Sequence, residues 1–201
     1  MTFKLWGIKF EITFLFVAFI TFIISLKAPS NLIITIASSI LHEIGHLSMM
    51  ILVCERPKKI KLELVGMNII REKNLKISAK KEIGISLGGP IMNFIIIIIS
   101  CIILCFYENY IFMTCACINL ILMVFNLLPI KSLDGGAFLY FLLSQHFETQ
   151  YCRSILKITS IICISIIYIW AFYVFIVSQY NFSLIIIAIF LTISLFQNND
   201  Y

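Results

Sequence analysis

The sequence predicts an all-α polytopic membrane protein of about six transmembrane helices, with a small cytoplasmic β-hairpin or loop between the second and third. Three observations carry this reading. Of 201 residues, 61% are hydrophobic and only 12% charged, and mean hydropathy is +1.05, far from the balance of a soluble domain. Apolar runs of membrane-crossing length recur along the chain, and no stretch longer than about thirty residues lacks one. Lys and Arg segregate: with the N-terminus inside, fourteen of fifteen fall in inside segments, and only Lys27 falls outside.

The first span is predicted at about 11–27, ending near Pro29 and Ser30. Lys9 and Glu11 interrupt the early apolar stretch and no small-x-small cleavage site follows, so this span is expected to stay in the protein rather than leave as a signal peptide. The second span is predicted at about 31–53. Residues 54–82 form a polar, basic connection in which Lys59 to Val65 alternates polar and apolar, and Ile69 and Ile70 follow Gly66-Met67-Asn68. This reads as a short hairpin, or as a basic loop lying on anionic headgroups. The remaining spans are predicted at about 83–106, 110–129, 154–177 and 182–197, with a mixed segment at 130–152. An even number of spans puts both termini in the cytoplasm of a bacterial cell as a multi-pass integral membrane protein.

The net charge of +5 therefore reports orientation, and no nucleic-acid partner is expected. The seven cysteines lie mostly within apolar runs and form no CxxC pair, so they read as small buried residues rather than a disulfide framework.

The chemistry sits in the second span, at His42-Glu43-Ile44-Gly45-His46. On a helix, residues four apart share a face, so both imidazoles can bind one Zn²⁺ while the Glu between them reaches a water at the metal. Charged groups inside a membrane are expensive, which favours a functional reading over simple helix packing. A catalytic zinc takes three protein ligands and keeps one position open. His146 is the other histidine of the chain, and Asp134 is the outstanding carboxylate, within Asn126-Leu-Leu-Pro129-Ile-Lys131-Ser-Leu-Asp134-Gly-Gly136. The two glycines allow close backbone approach, and Pro129 ends the preceding helix at membrane depth. Asp134 could equally be a helix N-cap or an Asp-Gly turn.

The His-Glu-x-x-His run, the later Asn-x-x-Pro-x-x-x-Leu-Asp-Gly-Gly segment, and Gly88-Gly-Pro-Ile-Met-Asn93 at the start of the third span occur in this order. Together they resemble the site-2 protease family of intramembrane zinc metalloproteases, and look most like the branch of stage IV sporulation protein FB. The resemblance implies that His42, His46 and Asp134 bind one zinc per chain and that Glu43 is the general base and acid. It implies that Asn126 holds substrate or the oxyanion, and that Gly89, Pro90 and Asn93 shape helix packing beside the site. Where the family often has Pro, this chain has Lys131. A single membrane-embedded domain over 1–201 is expected, without a PDZ or CBS domain.

The function so implied is endoproteolysis of membrane-tethered regulators near the cytoplasmic face. The substrates would be a pro-sigma factor, an anti-sigma factor or remnant signal peptides, with a membrane regulator as a possible partner. The alternatives are a catalytically inactive relative that binds membrane regulators and, with less support, a metal transporter. The intact Glu43 argues against the first. Against the second stand a fifth and sixth span whose sole charge is Lys157, near one end.

Overall fold

The computed structural model describes residues 2–5, 8–12, 30–54, 59–63, 66–70, 78–178 and 182–196. Most of the described chain is helical: α1 (Ser30–Leu52), α2 (Ala79–Leu104), α3 (Tyr110–Asn126), α4 (Asp134–Leu143), α5 (Thr149–Val177) and α6 (Ser183–Phe196). Two compact units divide it. One combines Met1–Ser78 with Gly88–Met123, the other Ala79–Leu87 with Val124–Tyr201.

Helices α1, α2 and α5 are long and apolar enough to cross a membrane. Among the described residues three helices reach this length, against the six spans expected. At about 1.5 Å per residue, the 17 residues of α3 reach about 25 Å and the 14 of α6 about 21 Å, short of a hydrocarbon core about 30 Å thick. The predicted span at 11–27 lies, beyond Ile12, outside the described residues. Large apolar side chains point outward from the long helices, among them Ile98, Ile99 and Ile102 of α2 and Ile166, Ile169 and Trp170 of α5. In lipid such a surface needs no cover.

The hairpin expected between the second and third spans is present, as half of a larger sheet. Four strands, β1 (Thr2–Leu5), β2 (Ile8–Ile12), β3 (Lys59–Glu63) and β4 (Gly66–Ile70), form one sheet in that order. β1 and β2 are antiparallel, with Phe3 opposite Phe10; β3 and β4 are antiparallel, with Ile60 opposite Ile69. β2 and β3 run parallel, with Phe10 beside Ile60. Parallel neighbours need a long crossover, and the connection that contains α1 supplies it. The short alternating run at the N-terminus was hidden by its position beside a predicted span.

In the first unit two hydroxyls of α1 are satisfied within its own turns. Thr35 donates to the Asn31 carbonyl and Ser48 to the Ile44 carbonyl, each at 2.8 Å. The helix stops at Cys54, whose φ of +60° is left-handed and breaks the repeat. In the second unit Ile130, Ile164, Leu191 and Leu195 make one buried apolar cluster, and Tyr140, Cys152 and Leu156 another. All seven cysteines are free.

Candidate metal centre

His42 and His46 stand one turn apart on α1 and are 6% and 8% exposed, which is uncommon for a pair of imidazoles in an apolar helix. Their rings meet edge to face at 4.9 Å between centroids, and the two Nε2 atoms are 3.2 Å apart. Two ring nitrogens converging on one point is the geometry that a single cation bridges. Glu43, between them in sequence, is half-buried.

The wall facing these nitrogens is glycine. A Cβ added to Gly89 of α2 would fall on the Nε2 atoms of both His42 and His46. The missing side chain is thus the space in which both nitrogens converge, and a zinc ion fits that donor set. Gly89 also donates its backbone N–H to Nδ1 of His46 at 3.3 Å. The helices reach this closeness because Gly45 and Gly88 touch backbone to backbone: a Cβ on either would strike the carbonyl of the other. Small residues at a crossing let transmembrane helices approach in this way. Pro90 follows inside α2, where its ring removes one backbone donor. Asn93, one turn beyond Gly89, is fully buried, and neither atom of its amide has a hydrogen-bond partner among the described residues.

Asn119 of α3 was not singled out in the sequence, although a carboxamide within an apolar run is a signal of interhelical bonding. It is fully buried and donates to Ser38 Oγ and to the Cys115 carbonyl, both at 2.9 Å. Ser38 lies one turn before His42 on α1 and is 2% exposed, so this bond ties α3 to the helix that carries both imidazoles.

Asp134 is the first residue of α4. The N-cap is Leu133, which makes no side-chain cap. Negative charge in the first turn is favoured by the helix dipole. Gly135 and Gly136 are required by the loop that precedes them. A Cβ on Gly135 would meet the Leu127 carbonyl, and one on Gly136 the Ile130 carbonyl. His42 and His46 belong to the first unit and Asp134 to the second. His146 is exposed beyond the end of α4. Asn126 is the last residue of α3 and half-buried.

The chain is similar to known proteins in sequence and in structure. The sequence profile of Peptidase family M50 matches residues 108–170, the stretch that contains Asn126 and Asp134. A zinc metalloprotease of Methanocaldococcus jannaschii is 31% identical over 157 residues, covering 72% of this chain and 45% of that protein. The chain thus spans less than half the length of this curated relative. A solved structure, the site-2 protease from Methanocaldococcus jannaschii, superposes with a TM-score of 0.68 at 27% identity, covering all of this chain and 95% of that one.

Proposed function

Because the chain belongs to peptidase family M50, the family of the site-2 proteases, we propose that it is an intramembrane zinc metalloendopeptidase. It hydrolyses peptide bonds of membrane-tethered regulatory proteins. The observation that carries this reading is the convergence of two buried Nε2 atoms, 3.2 Å apart, on the space left by Gly89.

In this reading His42, His46 and Asp134 hold the zinc. Bound there, zinc acidifies a water and polarises the scissile carbonyl. Glu43 takes the proton of the attacking water and returns it to the leaving amine. Asn126 hydrogen-bonds the substrate backbone or the oxyanion that develops on it. Gly89 keeps the space before the two imidazoles open. A helical substrate hides its carbonyls in its own hydrogen bonds, so it must unwind locally before cleavage. Helix-breaking residues near the cut therefore favour it.

The positive-inside bias supports an inside N-terminus, with α1 running inward. His46 is six residues, or about 9 Å, before the end of α1 at Leu52, which supports chemistry near the cytoplasmic face, within reach of water. The substrates that suit such a site are pro-sigma factors, anti-sigma factors and remnant signal peptides.

The test uses detergent-purified protein and a synthetic single-span peptide with a Gly-Pro break near its cytoplasmic end. Wild type should carry one zinc and cut the peptide, while Glu43→Gln should keep the zinc and not cut. Cleavage that survives Glu43→Gln would sink the mechanism. Zinc retained at full affinity in Asp134→Ala would remove Asp134 from the ligand set.

A further inference from the structure

The segment between α3 and α4 leaves the helical repeat in apolar surroundings, where each backbone polar group needs a partner. Part of the requirement is met locally: Leu128 N–H reaches the Phe125 carbonyl at 3.2 Å, Ile130 N–H the Leu128 carbonyl at 2.8 Å, and Leu133 N–H the Ile130 carbonyl at 2.9 Å. Two groups are met from another helix. The backbone N–H of Lys131 donates to Ser160 Oγ at 2.9 Å, and Thr159 Oγ1 shares its one proton between the Pro129 carbonyl at 3.2 Å and the Leu156 carbonyl of its own helix at 3.0 Å. Thr159 and Ser160 are neighbours on α5.

The Ser160 hydroxyl is fully committed. It is 0% exposed and gives its proton to the Leu156 carbonyl at 2.6 Å, so a lone pair is left for Lys131. Between the two clamped positions, Ile130 is itself 0% exposed and sits in the cluster of Ile164, Leu191 and Leu195. Three consecutive residues, 129 to 131, are thus held by α5 and α6 on one side. Gly135 and Gly136 press the same segment from the other side, against the Leu127 and Ile130 carbonyls.

We propose that Thr159 and Ser160 are positioning residues of the metal site: their hydroxyls clamp the 129–131 backbone and thereby set where the Asp134 carboxylate stands. The inference rests on Asp134 being the third zinc ligand. It gives α5, whose polar residues look incidental in the sequence, a defined task. Neither hydroxyl touches metal or substrate. Each acts through backbone that starts three to five residues before Asp134, with no glycine between Lys131 and the carboxylate to absorb a shift.

The test measures zinc affinity by competition with a chelator, using the whole chain in detergent. The variants are Ser160→Ala, the near-isosteric Thr159→Val, and Asp134→Ala, alone and combined. Outer hydrogen-bond partners of metal ligands are worth about ten- to a hundredfold in affinity. Ser160→Ala and Thr159→Val should each weaken zinc about tenfold while Asp134 is present. In the Asp134→Ala background, where the histidine pair alone holds the metal, neither should weaken it further. Helix content and melting of the metal-free protein are followed in parallel. Equal losses in both backgrounds would mean a merely structural role and overturn the proposal. So would unchanged affinity in both hydroxyl variants when Asp134→Ala itself weakens zinc. If Asp134→Ala leaves zinc affinity intact, the ligand assignment falls and the clamp's role falls with it.

Discussion

The backbone N–H of Gly89 donates to Nδ1 of His46, while the position where its Cβ would stand lies on the Nε2 atoms of both His46 and His42. The bare backbone at this position makes room for what the imidazoles hold. No other residue type leaves that room, because any side chain occupies the space that the nitrogens share. Gly89→Ala should therefore weaken zinc binding by about a hundredfold or more, since both rings must turn away from each other. Helix content should stay unchanged. Zinc titration against a chelator, beside circular dichroism, checks this; wild-type affinity in the variant would refute the packing argument.

The contact of Gly45 with Gly88 sets how near α1 and α2 come. A methyl at either position meets backbone, which cannot rotate aside. Gly45→Ala should separate the helices and cost about 1–3 kcal/mol of stability, the usual range for overpacking. Zinc affinity should fall as well, because Gly89 moves with Gly88. Thermal melting and zinc binding measured on one preparation would show whether the two losses occur together.

The Asn119–Ser38 bond is read through a double-mutant cycle. Interhelical hydrogen bonds in membranes couple by about 0.6 kcal/mol on average and up to about 1.7 kcal/mol. Asn119→Leu, Ser38→Ala and the double variant should give a coupling in this range by reversible unfolding in detergent. Strict additivity would mean that the bond does not hold α3 to α1.

Glu43→Gln separates chemistry from binding. It removes the base while keeping size, so the rate should fall by about 10²–10⁴ or more with zinc content unchanged. Chelation of the wild type should abolish cleavage, and added zinc should restore it in wild type alone. Elemental analysis with a cleavage assay reads both.

How much was legible in the sequence depended on the range of the signal. The His-Glu-x-x-His run was legible because its meaning is local: a period of 3.6 residues brings positions 42 and 46 onto one face whatever else the chain does. The Asp134 segment was legible through its glycines and proline, which constrain backbone over a few residues. The sheet was only half legible. β2 and β3 are separated by more than forty residues, and no local pattern announces that Phe10 will lie beside Ile60. Ser38, Asn119, Thr159 and Ser160 carried no distinctive pattern, since an isolated hydroxyl or carboxamide in an apolar helix is ambiguous until its partner is known.

By itself the sequence determined that this is an apolar, helical chain suited to a membrane, with a His-Glu-x-x-His run on its second predicted span and an Asp-Gly-Gly segment after its fourth. Those properties follow from hydropathy and from periodicity within single elements. The tertiary structure decided which helices are long enough to cross, that residues 2–12 join the 59–70 strands in one sheet, and that a missing side chain at Gly89 opens the space before the two imidazoles. It also decided that α5 holds the backbone leading to Asp134. These are matters of contact between distant segments, set by the closest approach of backbones and by the need to satisfy polar groups away from water, and neither is written in any one stretch of the chain.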